Sequence, residues 1–392
     1  MSGMSSEGGV GGVGGVGGVG GVGGVGGVGG VGGVGGVGGV GGVGGVGGVG
    51  APGSTFFSDA LIRHRDGIVG TWQGSVLPAG SELAIEDEDN LERWEPWCRA
   101  AAIDFELLSN LHFTSFNVGA AAVPHCCLWH LEANDTANPP TTAPVELAVM
   151  TRPKQAAFEA QLAFVNGWAE VREDRATEIF TQMVPPAVYW SSIVHLHPTR
   201  TRWTFELLDT ALRLANFAEM RFKHALACRR PIDYSPQVQP MIQTPGHGAL
   251  PSGHATEAFV VATVLAELCT KTTNPALLRE KLMLQAARVA INRTVAGVHF
   301  PVDSVAGELL GLTLGHYLIA RATYVPCDSW FFDGDQDPGT SDFDFRNQYD
   351  TATGTQIASA VNPPFVSNIA TFTPNKSVLL EWLWDKAADE WA

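Results

Sequence analysis

The sequence predicts an all-α protein on three observations. From Phe158 onward, apolar residues recur at helical spacing. Proline and capping residues stand where such segments should begin and stop. Runs with strand-like alternation are few.

In chain order, residues 8–49 repeat Gly-Gly-Val without interruption. The tract has no proline and no collagen register, and its high backbone entropy has little apolar area to offset it. Residues 1–54 are therefore expected to be low-complexity and disordered. The remaining stretch of about 340 residues can bury a sizeable core. It is read as a single helical domain over 55–392, with a catalytic core at about 155–325. Residues 55–150 read as short helices and loops, with a solvated acidic cluster at Glu86-Asp87-Glu88-Asp89. Phe158, Leu162, Val165 and Trp168 mark one face of a first strong helix. A second runs from about Trp203 to Cys228 and is stopped by Pro231. A third starts at Ser252 or Gly253 and reaches about Lys271. A fourth covers Pro275 to Ile291, and a fifth runs from Pro301 to about Ala322.

Composition narrows the function. The net charge is −16, which argues against nucleic acid and anionic membrane as partners. Any anion site must be built locally from Arg and Lys. The start, MSGMSSEGGV, has neither the positive charge nor the apolar stretch of a signal peptide. The longest apolar runs fall short of the roughly 20 residues a membrane span needs. A soluble, cytoplasmic protein is expected, and oligomerisation stays open. The six cysteines match no zinc module or disulfide framework. His125-Cys126-Cys127 with His130 reads as scattered buried thiols rather than a metal cluster. Asp333 to Asp344 resembles a calcium loop at its first, third and fifth positions. Pro338 replaces the required glycine and Asp344 the required glutamate, so an ordinary acidic loop is expected.

Three segments carry the chemistry. In KHALACRRP, Lys223 and Arg230 are seven apart, a spacing that would put two cations on one helix face and call for an anion between them. In PSGH, Pro251 to His254, a helix start offers free N–H groups, a hydroxyl at Ser252, close backbone approach at Gly253 and an imidazole at His254. In NRTVAGVHFPVD, His299 and Asp303 are four apart and can pair, and Gly297 permits a turn that returns Arg293 to the same point. Asp303 would hold one ring nitrogen of His299 and leave the other free to attack or to coordinate. Singly, these pieces also fit a cap, a core histidine or a surface ion pair. Together they describe a pocket for one small tetrahedral oxyanion.

These motifs resemble those of the superfamily that unites vanadium-dependent haloperoxidases with bacterial acid phosphatases and type 2 phosphatidic acid phosphatases. The resemblance rests on Lys223…Arg230-Pro231, Pro251-Ser252-Gly253-His254 and Arg293…His299…Asp303, with Asn292 where the family usually has serine. It implies a helical bundle. It also implies that His299 binds vanadium or is the phosphorylated nucleophile. Lys223, Arg230, Ser252, Gly253 and Arg293 would hold the oxygens, His254 would be the acid–base, and Asp303 would orient His299.

Within the superfamily the sequence looks most similar to the bromoperoxidase-like members. PSGHAT is closer to their form than to that of the soluble phosphatases, which tend to carry threonine directly after the histidine. His247 stands where bromoperoxidases have a histidine. The expected function is then vanadate-dependent oxidation of bromide or iodide by hydrogen peroxide. It would yield a hypohalous acid equivalent that halogenates a small organic acceptor, with His247 beside His254 tuning the halide pocket. A loop histidine without function is the alternative for His247. The alternative function is a soluble phosphatase cleaving phosphate monoesters through a phosphohistidine, and a third reading is oxyanion binding without turnover.

Overall fold

The computed structural model describes residues 55–68, 80–119, 123–134, 141–183, 187–271, 273–359 and 365–392. The Gly-Gly-Val tract lies outside the described residues. The chain divides into two compact units, residues 1–99 and 100–392. In the first, helix α1 spans Thr55–Ile68. A single 3-10 turn covers Glu88–Arg93, capped by the Asp87 side chain, which accepts from the Asp89 N–H. Helix α2, Pro96–Ser109, crosses the boundary between the units.

The second unit corrects the all-α expectation. Helices dominate, but β1 (Leu111–Val118), β2 (Val123–Asn134), β3 (Thr141–Thr151), β4 (Cys327–Asp333) and β7 (Val366–Phe372) form a five-stranded mixed sheet in the order β1-β2-β3-β4-β7. β3 and β4 pair in parallel and the other neighbours antiparallel. A small second sheet joins β5 (Tyr349–Asp350) to β6 (Thr355–Gln356). The physical reason is burial. Cys126 to Leu128 on β2 and Leu147 to Met150 on β3 are consecutive buried residues, and a strand buried on both faces loses its alternation. The alternation of β4 survives only in part, and its partner β3 lies far away in the chain.

The five expected helices are present as α3 (Gln155–Trp168), α6 (Arg202–Leu226), α8 (Gly253–Leu268), α9 (Pro275–Val295) and α10 (Pro301–Thr323). Shorter helices α4 (Arg172–Thr181), α5 (Ala187–Ser191) and α7 (Pro231–Tyr234) connect them, and α11 (Val378–Asp389) closes the unit. Helix α8 is apolar almost all round, so it must be a central helix. It packs against α6, α9 and α10.

The sheet packs against α10 and α6, and at α6 the Phe113 and Phe222 rings meet edge to face at 5.0 Å. His130 is a core histidine on β2, its Nδ1 2.9 Å from the Tyr317 hydroxyl. Burial pushes the Cys126 thiol up to about 11. Among the described residues, no group of three or more His, Cys, Asp and Glu is arranged to hold a metal ion. In the Asp333 to Asp344 segment the carboxylates serve separate partners. Asp333 accepts from Thr151, Asp337 from the Gly339 N–H and Asp342 from the Trp168 indole.

Candidate active site

Helix α6 delivers Lys223 to the centre of the second unit, where it is 2% exposed and donates to the Pro251 carbonyl. Burial, reinforced by the Arg230 charge, lowers its pKa, while Glu219 one turn earlier pulls it back up. Arg230 does not share a helix face with Lys223, contrary to the seven-residue spacing. Ala227 adopts the left-handed conformation at φ 50° and ends α6, so Arg230 lies in the extended segment that precedes α7. That break lets its guanidinium reach across to the third motif. Nη1 donates to the Val298 carbonyl and to His299 Nε2, both at 2.8 Å.

The partners of His299 fix its tautomer. Arginine has no acceptor, so Nε2 must present its lone pair to Arg230. The ring proton therefore sits on Nδ1, which donates to Asp303 Oδ2 at 2.9 Å. The same oxygen accepts the Phe300 N–H at the start of α10, also at 2.9 Å. Burial and the neighbouring Arg230 and Lys223 charges hold the His299 pKa well below its ordinary value. His299 is thus a neutral imidazole with its basic nitrogen aimed into a cluster of cations. Asp303 is fully buried, and burial pushes its carboxyl up to about 7 against the pull of the Phe300 N–H, Arg230 and Lys223.

Gly297, at φ +79°, makes the turn that separates Arg293 from His299, closed by a bond from the Val298 N–H to the Arg293 carbonyl. Arg293 is 1% exposed. Its Nη2 reaches Gln182 Oε1 at 3.2 Å and the Ile179 carbonyl at 3.4 Å, while its Nε and Nη1 have no partner. Buried guanidinium N–H groups are rarely left unpaired, so Arg293 holds two charged donors to spare. Burial lowers the Arg293 pKa to about 10.

Ser252 caps α8, its hydroxyl accepting from the Ala255 N–H, and its own N–H donates to the Asp303 carbonyl at 2.8 Å. Gly253 opens the helix, where the first-turn N–H groups lack intrahelical acceptors. A Cβ at Gly253 would lie 2.6 Å from Glu219 Oε1, so the glycine makes room for that buried carboxylate. His254 Nε2 donates to the Gln182 carbonyl at 2.9 Å, which leaves Nδ1 as its basic nitrogen. Burial, with the Arg293 and Lys223 charges, lowers its pKa to about 4.

Lys223, Arg230, Ser252, Gly253, His254, Arg293, His299 and Asp303 are thus linked through the contacts of one buried cluster. His247 is exposed and joins that cluster by another route. Its Nδ1 meets Arg230 Nη2 at 3.2 Å, and no hydrogen bond joins it to His254 among the described residues.

Sequence reasoning missed Gln182 and Glu219. Gln182 is 1% exposed and touches His254 through its carbonyl and Arg293 through its amide oxygen. That oxygen also accepts from Asn292 Nδ2 at 2.9 Å. Asn292 further bonds Arg175 and Glu178, and so ties α9 to α4. The position of Glu219 one turn before Lys223 was the available signal for it. Gln182 gives none, because it acts from the end of a short helix far from the motifs in sequence.

Residues 207–325, which hold all three motifs, match the model of the PAP2 superfamily. The solved structure of a transmembrane PAP2-type phosphatidylglycerolphosphate phosphatase from Bacillus subtilis is similar at 22% identity, over 42% of this chain and 85% of that one, with a TM-score of 0.34. No curated protein matches. Among the described residues, no helix is long and apolar enough to cross a membrane.

Proposed function

We propose that this protein is a phosphatase that cleaves phosphate monoesters through a covalent phosphohistidine at His299. One observation carries the reading: a neutral His299 presents its Nε2 lone pair to the Arg230 guanidinium, in the same buried cluster that holds Arg293 with two unpartnered N–H groups. A tetrahedral oxyanion there would accept from Arg293, Arg230, Lys223 and the Gly253 N–H, and would draw Arg230 Nη1 off the His299 nitrogen.

Nε2 then attacks phosphorus as the ester P–O bond breaks, and His254, protonated beside the bound anion, gives its proton to the departing alkoxide. Asp303 stabilises the imidazolium that forms. In the second half, His254 takes a proton from water, whose oxygen attacks phosphorus and releases His299. The PAP2 match over residues 207–325 supports this reading.

A second reading, vanadate-dependent halide oxidation, is favoured by His247. An exposed imidazole bonded to Arg230 is not needed for phosphoryl transfer. The residues suit vanadate, because a pocket shaped for five-coordinate phosphorus also suits five-coordinate vanadium. His299 would bind it, with Lys223, Arg230, Ser252, Gly253 and Arg293 on its oxygens. Bound vanadate would supply the activation of hydrogen peroxide for oxidation of bromide or iodide.

Paired assays decide between the readings. The phosphatase hydrolyses p-nitrophenyl phosphate without metal, is inhibited by vanadate and yields an acid-labile phosphoryl-enzyme that is absent in His299→Ala. Bromide oxidation in vanadate and peroxide, with no ester hydrolysis, would overturn it in favour of the second reading.

A further inference from the structure

Beside His254, and outside the oxyanion cluster, lies a partly open cavity between α5, α6, α8 and α9. Its walls are aromatic and aliphatic, with Trp190, Phe205, Leu208, Leu212 and Val261 prominent. The other charged groups on it are two carboxylates, Asp209 and Glu257; neither Lys nor Arg lines it. Neither carboxylate has a hydrogen-bond or ion-pair partner among the described residues. Arg213, the nearest cation in sequence to Asp209, is bound bidentately to Asp104. The Gln285 amide nitrogen, also on the wall, is buried without a partner.

We infer that this cavity takes the organic portion of the substrate, an apolar, ring-sized alcohol that carries an amine. The inference rests on the phosphatase reading for the direction in which the alcohol leaves. A proton donor must touch the leaving oxygen, and His254 lies on the cavity wall, so the alcohol attached to that oxygen extends into the cavity. The apolar walls hold its body, and Gln285 offers a donor to a hydroxyl or carbonyl oxygen.

The two carboxylates decide the charge. An anionic alcohol would meet Asp209 and hold Glu257 in its protonated form, whereas an ammonium would gain Asp209 and, by drawing Glu257 into its ionised form, a second counterion in a cavity that Trp190 also lines. Glu257, three residues after His254, shares its face of α8. Burial and the nearby Glu219 push its carboxyl up to about 8. A bound cation would displace that proton and restore the counterion.

Three matched phenols test the assignment by calorimetry: tyramine, p-cresol and 4-hydroxyphenylacetate. Their phosphate monoesters are assayed in parallel. The expected order is cationic, neutral, anionic, with steps of about fivefold for partly screened pairs, in Kd and in kcat/KM. Asp209→Asn, at an exposed position, and Glu257→Gln should each flatten the order while leaving p-cresol within about twofold. Equal binding of the three phenols, or preference for the anion, overturns the assignment. If the esters are hydrolysed without charge discrimination, the phosphatase reading stands and the cavity assignment falls. If the phenols bind in the expected order but no ester is cleaved, the cavity assignment stands and the phosphatase reading falls.

Discussion

Replacing Arg293 by Met separates a functional cation from a structural one. The guanidinium is buried, and its Nε and Nη1 have no partner. Burial lowers its pKa from 12.5 to about 10, so at neutral pH the charged form costs the fold stability. Methionine removes that cost. It also removes two weak bonds, to Ile179 and Gln182, but Gln182 Oε1 keeps its Asn292 donor. The ligand-free variant should therefore melt at or above the wild-type temperature.

With an oxyanion the sign reverses. Two charge-assisted bonds at about 1.5–3 kcal/mol each imply a loss of at least about 3 kcal/mol, or more than a hundredfold in affinity. At a vanadate concentration of about 100 times the wild-type Kd, the wild type gains about 2.7 kcal/mol and the variant about 0.4 or less. In a unit of this size that is a shift of about 5 °C against about 1 °C. Calorimetric melting with and without vanadate measures both signs. A variant that melts far lower without ligand, yet keeps the full vanadate shift, would show that Arg293 serves the fold and not the anion.

Three further outcomes are expected. His254→Ala should keep vanadate binding but lose about 10²–10⁴ in single-turnover rate, because proton transfer goes while the anion contacts stay. Asn292→Ser should lower stability by about 1–3 kcal/mol in denaturant unfolding, since the shorter side chain gives up the buried Asn292 amide's bonds to Gln182, Glu178 and Arg175. Glu308 is buried on α10, and burial raises its carboxyl pKa well above 4.5, so the folded state holds a proton that the unfolded state releases. Its stabilising contribution is present below about pH 4.5 and is lost as pH rises toward the folded pKa. The stability advantage of Glu308→Gln should therefore widen from pH 4.5 to 8, and unfolding curves that stay parallel over that range would contradict this.

The helices that carry the site were legible because each has a one-sided or wholly apolar pattern with local start signals, such as Asn274-Pro275 at the head of α9 and Phe300-Pro301 at the head of α10. The sheet was not. Its central strands are buried on both faces, and the pairing of Ala148 with Trp330 joins residues that no local window contains. In the site, residue types and spacing marked the residues that the fold gathers into one buried cluster, because each motif is a local segment whose geometry the chain itself largely imposes. Gln182 and Glu219 escaped because their roles exist only through contacts between elements: α4 against α9 for one, α6 against the start of α8 for the other.

The misplacement of Arg230 shows what spacing alone omits. Had α6 continued for one more turn, Arg230 would point from the same cylinder as Lys223. The left-handed residue at Ala227 and the extended backbone after it turn the chain instead, and the Asp233 carboxylate pins the Arg230 N–H at 2.9 Å. The guanidinium can then donate to His299 Nε2, and together with Asp303 at Nδ1 it fixes which nitrogen carries the ring proton. The break in the helix therefore supplies one of the two contacts that set the tautomer of the candidate nucleophile. A substitution such as Ala227→Val, which disfavours the left-handed conformation, should act through that link. It should slow phosphorylation of His299 and alter the histidine nitrogen shifts, while the contacts of Arg293 stay as they are. Unchanged nitrogen shifts in a variant that turns over slowly would break the proposed link between the helix end and the tautomer.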